Sequence, residues 1–391
     1  MPLKKHFRLL KTTGSARAGE LSTSHGTVAT PVFLPVGSQA TVKTLTPRDI
    51  KDIGFDMVLA NTYHLYLRPG IDVIKGLGGL HRFMAWDRAL LTDSGGYQVF
   101  SLAPFCRIDD DGVRFRSHID GSEHFLTPEL AMAYQEALGA DVIMALDECT
   151  AYGDPTEKVR QAMDRTHRWA ERCLKAQQRP DLALYAIVQG GTFPDLRRES
   201  ADYLALLDFP GYAVGGLSVG EPKEITWATL EETVPRLPAD KPRYLMGVGS
   251  PEDIVEGVAR GIDIFDCALP TRVARNGALF TGRGRVNIRK AAFARMDTPL
   301  DPAYDCDTCR TFSAAYLSHL FRSGELLGLR LATVHNLRFI YNLMRNIRKA
   351  IINGTFDTFH KDFLNTYQTT DEVTRVEQKR KWLRGREKEG G

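Results

Sequence analysis

Eight short apolar runs, each ending abruptly in a polar residue or glycine, punctuate the first 270 residues of this 391-residue chain. They are Val32–Val36, Met57–Ala60 before Asn61, Ala89–Thr92 before Asp93, and Val142–Leu146 before Asp147. Then follow Ala186–Val188 before Gln189, Ala213–Val214 before Gly215 and Gly216, Tyr244–Val248 before Gly249, and Ile262–Phe265 before Asp266. Runs of strand length with unbroken apolarity suit strands buried on both faces. Helical patterns fill most of the intervals: Pro128–Leu138, Pro155–Gln177, Pro194–Leu207, Pro222–Leu237 and Pro251–Ala259. Each opens on proline near a Thr, Asp, Phe, Glu or Ser, the punctuation of a helix start. Eight strands alternating with helices predict an α/β fold, a closed parallel (β/α)8 TIM barrel. An open doubly wound sheet is the alternative, but no GxGxxG follows the first strand.

Two regions break the pattern. Residues 105–125 hold two Asp-Gly pairs, Asp111-Gly112 and Asp120-Gly121, among alternating apolar and polar residues, which predicts an antiparallel β insertion. Beyond about residue 281 the chain becomes basic and predicts a helical subdomain over 281–365, with helices Ser313–Leu327 and Arg330–Asn353, packed on a 1–280 barrel domain. Residues 366–391 read as a charged, flexible tail. The net charge is only +3, yet residues 271–350 carry 14 Lys/Arg against 5 Asp/Glu. An acidic body with one basic block fits a polyanionic partner, and a charge-laced helical face without partner fits as well. No window approaches the roughly 18 apolar residues of a membrane span, and the N-terminus lacks a signal-peptide core. Six scattered cysteines argue against a disulfide framework, and only Cys306 and Cys309 stand close, as metal ligands would. The expectation is a reduced, cytoplasmic protein with no membrane partner.

In a barrel, the C-terminal strand ends form the active-site mouth. Asp93, Asp147 and Asp266 all end apolar runs and are expected to converge there with Gln189 and Gly216. A single aspartate at such a position often just caps the next helix; three at equivalent places point to a site. Paired carboxylates at an anomeric carbon can act as nucleophile and general acid/base, the logic of retaining glycosyl transfer. Gln189 and a glycine N–H can read the edge of a flat heterocycle. Cys149 and Cys267, beside the acidic positions, read as small buried thiols, and His64 lacks a convincing catalytic partner.

The segments TDSGGYQVFSL (92–102), ALDECT (145–150), VQGG (188–191), GGLSVGE (215–221), LMGVGSPEDI (245–254) and FDCALPTRVARNG (265–277) resemble bacterial tRNA-guanine transglycosylase, the queuine tRNA-ribosyltransferase family. The resemblance runs in order from about residue 5 to 365 and includes a C-terminal Cys/His module. It implies exchange of the wobble guanine of GUN-anticodon tRNAs for 7-aminomethyl-7-deazaguanine, through a covalent enzyme–RNA intermediate, in queuosine biosynthesis. By position, Asp266 matches the nucleophile and Asp93 the general acid/base. Asp147 matches the acceptor for the base's N1–H and amine; Gln189 and the Gly216 N–H match the donors to its carbonyl. Tyr97 and Met246 match the residues that sandwich the base plane, while Ser94, Gly95, Gly96 and Leu217 belong to the same pocket. Cys149 and Val219 match the bacterial pocket, which implies the aminomethyl base rather than queuine. Two stretches match RNA contacts: Gly247, Val248, Gly249, Ser250, Pro251, Glu252 and Asp253, then Thr271, Arg272, Val273, Ala274 and Arg275. A base must leave its stack before its C1′ is reachable, so such a site receives a splayed nucleotide.

Two other readings compete. A metal-dependent barrel hydrolase would need ligand clusters at the strand ends, and no His-x-His stands there. A non-catalytic tRNA-binding partner subunit would not need Asp266 and Asp93, and both are present. The archaeal relative, which carries extra RNA-binding domains, does not fit in 391 residues. The family resemblance also implies a homodimer, and the apolar Leu331, Val334, Leu337 and Ile340 exceed what simple barrel cover needs. It further implies a structural zinc held by Cys-x-Cys-x2-Cys and a later His. Here the first ligand position is Tyr304, a poor zinc ligand, followed by Cys306, Cys309 and His335. The retained three favour one zinc per chain, with Asp305, Asp307 or water as the fourth ligand, over loss of the metal.

Overall fold

The computed structural model describes residues 6–102 and 105–369. Most of the expected charged tail, from residue 370 onward, lies outside the described residues. The chain opens with an antiparallel sheet of β1 (Phe7–Thr13), β2 (Ala16–Thr23) and β3 (Gly26–Thr30), which the sequence pattern did not reveal. Barrel strands β4 (Val32–Pro35), β5 (Met57–Asn61) and β6 (Ala89–Asp93) follow. Strands β7 (Cys106–Ile108), β8 (Val113–Arg116) and β9 (Glu123–Leu126) form the antiparallel insertion, turning at the two Asp-Gly pairs. The barrel resumes with β10 (Val142–Met144), β11 (Ala183–Val188), β12 (Gly211–Val214), β13 (Arg243–Leu245) and β14 (Ile264–Cys267). A hairpin, β15 (Ala278–Thr281) and β16 (Gly284–Asn287), leads into the C-terminal helices.

All eight expected runs become barrel strands. Around the ring the order is β4-β14-β13-β12-β11-β10-β6-β5. A parallel bridge from Val36 to Leu59, with the Gly37 N–H donating to the Leu59 carbonyl at 2.6 Å, joins its two ends. Strand side chains alternate faces with period two. Met57 and Leu59, Ala89 and Leu91, Tyr185 and Ile187, and Ile264 point into one interior cluster. Phe7, Leu21 and Val28 of the first sheet join that cluster and stopper the barrel at the strands' N-terminal end. The same parity carries Asn61, Asp93 and Asp266 inward at the other end, so these polar strand ends make the mouth polar.

Helix starts follow the proline signals in part. Thr127 caps Pro128–Leu138 and Ser250 caps Pro251–Ala259, each side chain accepting a backbone N–H three residues on. Pro155 and Pro222 are instead the cap residues themselves. The two expected C-terminal helices run Ala314–Ser323 and Leu326–Ile352, parted at Gly324, whose φ of 73° favours glycine. The 27-residue Leu326–Ile352 helix packs on the helices Leu269–Arg275, Pro47–Ile53 and Pro251–Ala259 and on β1, β2 and β4. It thereby fills the outer layer between the barrel's first and last helices. Buried Asn336 pins it, donating to the Pro270 and Ala278 carbonyls at 3.0 Å and accepting the Phe280 N–H at 3.0 Å. Leu331, Val334, Leu337 and Ile340 are all buried within their own chain. That apolar stripe therefore covers the barrel and does not form a partner surface.

Candidate active site

Asp93 ends β6 directly opposite Asn61 of β5 in parallel register. Its carboxylate accepts the Asn61 amide and the Thr62 backbone N–H, the latter at 3.0 Å. The Thr62 hydroxyl donates to the Asp93 carbonyl at 2.5 Å, which fixes the strand end as well as the side chain. Burial nevertheless lifts the Asp93 carboxyl to about 7; hydrogen bonds from Asn61, Thr62 and Gln98 oppose the rise, and the charge of Asp266 adds to it. A carboxyl near 7 is suited to giving and taking protons at neutral pH.

Asp266 stands on β14, and both of its hydrogen-bond donors fall on Oδ1: the Tyr244 hydroxyl at 2.5 Å and the Gly247 N–H at 2.8 Å. Tyr244 is fully buried inside the barrel, one strand over on β13. Its surroundings raise the Asp266 pKa by desolvation, while the two donors favour the anion. The side chain stays partly accessible, with Oδ2 clear of both donors.

Asp147 and Gln189 face one another: the Gln189 amide donates to Asp147 Oδ2 at 2.7 Å. Both are buried, and desolvation raises the Asp147 carboxyl to about 6, against the pull of Gln189. Gln189 Oε1 is buried without a hydrogen-bond partner, the state of a group awaiting a polar ligand. Gly216, at φ +67°, brings its backbone so close that an added Cβ would sit 2.5 Å from that oxygen. Gly96 is just as tight, its would-be Cβ lying 2.7 Å from the Asp147 carbonyl. Ser94 and Leu217 are buried, Gly95 adopts positive φ, Met246 is half-buried and Tyr97 is exposed. A small cavity lined by Thr150, Tyr152, Gly216, Val219 and Glu221 adjoins the Gly216 turn. Burial raises the Cys149 and Cys267 thiols to about 12, so both are inert at neutral pH.

Of the two expected RNA-contacting stretches, Val248, Gly249, Pro251, Thr271 and Ala274 are buried. Gly247 is exposed, Ser250 and Val273 are half-buried, and Glu252 and Asp253 pair with Lys223 at 3.2 and 2.5 Å. Arg272 is exposed and Arg275 half-buried on the helix Leu269–Arg275, immediately after Asp266. Sequence reasoning assigned no role to Asn61, Thr62, Tyr244 or Arg197, which hold the carboxylates and the loops around them.

Among the described residues, two groups of side chains are close enough to share a metal, and both lie away from the mouth. Cys306, Cys309 and His335 are buried together, with His335 Nδ1 at 3.4 and 3.3 Å from the two sulfurs. His335 Nε2 lies 2.7 Å from the Phe280 carbonyl, which only accepts; that nitrogen carries the proton and Nδ1 offers its lone pair toward the thiols. A hydrogen bond from the Cys306 thiol holds the Cys309 thiol below its usual range. Two sulfurs and an oriented imidazole fit a borderline-soft divalent metal ion. Asp305, one of the expected fourth ligands, is taken by Arg338 and Asn342, the latter at 2.9 Å, and Asp307 is exposed. Tyr304 stacks on Phe339 with ring centroids 5.3 Å apart. The second group, His25, His81 and Asp141, closes the opposite end of the barrel. There Asp141 already accepts His25 at 2.8 Å and the Leu90 N–H at 3.0 Å, an internally satisfied clasp.

Residues 12–369 match the family model described as queuine tRNA-ribosyltransferase. A queuine tRNA-ribosyltransferase of Dehalococcoides mccartyi is 60% identical over 386 residues, 98% of each chain. The protein of that description from Herpetosiphon aurantiacus is 58% identical over 94% of each chain. Its counterpart from Moorella thermoacetica is 57% identical over 93% of this chain and 98% of its own. With a parallel barrel whose mouth gathers Asp93, Asp147, Gln189 and Asp266, the chain belongs to the queuine tRNA-ribosyltransferase family.

Proposed function

We propose that the protein is a tRNA-guanine transglycosylase that replaces the wobble guanine of GUN-anticodon tRNAs with 7-aminomethyl-7-deazaguanine by double displacement. The observation that carries this reading is the placement of two differently held carboxylates, Asp93 and Asp266, at one barrel mouth. Asp266 Oδ2 attacks ribose C1′ while Tyr244 and Gly247 hold Oδ1. Asp93 gives its proton to the departing guanine. The enzyme–RNA ester then meets the incoming base, Asp93 takes that base's proton, and Asp266 leaves as the carboxylate, so configuration at C1′ is retained. The phosphodiester backbone is untouched throughout.

Base recognition follows from the same residues. Asp147 accepts the base's N1–H and amine, and Gln189 turns its amide from Asp147 to the carbonyl oxygen beside the Gly216 N–H. Tyr97 and Met246 cover the ring faces. The cavity beside Val219 gives room for a 7-aminomethyl group, while the Val219 side chain restricts a bulkier substituent. Arg272 and Arg275 would meet the anticodon RNA, with Gly247 and Ser250 on the neighbouring loop. Cys306, Cys309 and His335 would hold a structural zinc, with water completing the set; such an ion would tie the Asp307–Thr311 segment to the Leu326–Ile352 helix and would take no part in base exchange. A cytoplasmic homodimer completes the proposal, on family likeness alone.

Incubating the purified protein with tRNA and radiolabelled guanine tests the reaction class. Label entering the anticodon loop supports it; intact tRNA without label, at any enzyme concentration, refutes it.

A further inference from the structure

Arg197 is fully buried, yet all three of its hydrogen bonds go to backbone carbonyls. It stands in the first turn of the helix Pro194–Ala205 and reaches back beneath the ends of β11 and β12. Nε donates to Gly191 at 2.7 Å, one terminal nitrogen to Val188 at 2.9 Å, and the other to Gly215 at 2.8 Å. These carbonyls bracket Gln189 on one strand end and precede Gly216 on the next. Burying a guanidinium costs several kcal/mol unless it is well satisfied, so its location is informative. The desolvated cation is lowered only to about 10 and stays charged at neutral pH.

The Gly215 contact has a directional consequence. In a planar trans peptide the C=O and N–H point opposite ways. Pinning the Gly215 oxygen on Arg197 therefore turns the Gly216 N–H away from the guanidinium. Among the described residues that N–H meets no acceptor in the chain. A charge-assisted bond at the oxygen of a peptide also polarises its N–H and strengthens it as a donor. Glu221 steadies the far side of the turn, accepting the Val219 and Gly220 N–H groups at 3.0 and 3.1 Å and the Thr226 hydroxyl at 2.7 Å.

We propose that Arg197 is a positioning residue for base recognition, aiming and polarising the Gly215–Gly216 peptide so that the Gly216 N–H grips a purine carbonyl oxygen. This rests on the reading that Gly216 meets the base. The cation also lies, without touching the base, behind the edge where negative charge gathers as a purine departs, and a fixed charge in a dry site acts strongly there.

The test compares free guanine with 6-thioguanine, which keeps N1–H and the amine but replaces the carbonyl oxygen with sulfur, a weak acceptor. Wild type, Arg197→Lys and Arg197→Gln are titrated with each base, and circular dichroism checks folding. Wild type should prefer guanine, and both variants should lose about tenfold in that preference, mainly through the guanine affinity. In base exchange the KM for guanine should rise more than kcat falls. Lysine keeps the charge but not the three-carbonyl fork, so it tests the geometry even if the glutamine protein does not fold. Equal losses for both bases would mark a merely structural residue and overturn the proposal, as would an unchanged guanine affinity. Wild-type protein that fails to insert labelled guanine into tRNA overturns the enzymatic reading instead, a result the variants cannot mimic.

Discussion

Asn61 and Asp93 end neighbouring barrel strands in register, and the amide of the one donates to the carboxylate of the other. Burial drives the Asp93 carboxyl up to about 7, and Asn61 is the leading influence restraining it. Removing that donor by Asn61→Ala should move the Asp93 limb of the pH–rate profile upward by roughly one unit. The rate at neutral pH should drop about tenfold. A profile measured from pH 5 to 9 checks this, and an unmoved limb would detach Asp93 from the proton transfers.

Asp93 also burdens the fold. Its carboxyl titrates near 7 in the native protein and at the ordinary 3.8 when unfolded. Between those values the folded state binds more protons than the unfolded state, so stability falls as pH rises through pH 4 to 7 and is lowest above 7. Asp93→Asn should therefore be more stable than wild type at pH 8, by up to about 4 kcal/mol, with the gap closing near pH 4. Urea denaturation of both proteins at the two pH values measures it. A variant less stable at pH 8 would contradict the assignment of the burial cost to this group.

Asp266, the proposed nucleophile, makes a separate prediction. Asp266→Asn should fold and bind tRNA but trap no protein–RNA adduct on denaturing gels; near-normal turnover would reject its role. Tyr244→Phe keeps the packing of a fully buried ring and deletes only the hydroxyl on Asp266 Oδ1. It should cut kcat by roughly 10- to 100-fold with little change in KM, the cost of one charge-assisted hydrogen bond.

The barrel was legible because its strands are buried on both faces and so write themselves as unbroken apolar runs. Asp93 and Asp266 were legible for a related reason, as polar residues terminating those runs. The β1–β3 stopper was not: along β1 only Phe7 is buried, so its pattern carries no alternation to detect. Tyr244 sits within an apolar run, where its ring explains its presence and hides its hydroxyl. Arg197 looks like any charged residue of an amphipathic helix, because its acceptors are main-chain carbonyls that no side-chain motif encodes. The long helix misled for the opposite reason. Its apolar excess is real, but it covers β1, β2 and β4 as well as neighbouring helices, and a sequence cannot show how many surfaces one helix must cover.

The Cys306–Cys309–His335 group yields the last prediction. Cys306 and Cys309 are buried in a cluster with Leu317, Leu331 and Ala332, and His335 is buried beside them, so a bound ion would tie the Asp307–Thr311 segment to the long helix from within. Thr308 already donates to the Leu331 carbonyl at 2.8 Å, and Asp305 to Arg338 forms a second tie. Metal loss should thus loosen this corner without unfolding the barrel. Protein purified without chelator should carry about one zinc per chain, and His335→Ala should carry almost none. With Tyr304 in place of a third thiolate, the ion should leave more readily to a chelator than from a three-cysteine site, and stripping it should lower the melting temperature by a few degrees. Elemental analysis with thermal melts before and after chelation reads both effects. Less than about a tenth of an equivalent in the untreated protein would mean that the two thiols and the imidazole pack without a metal.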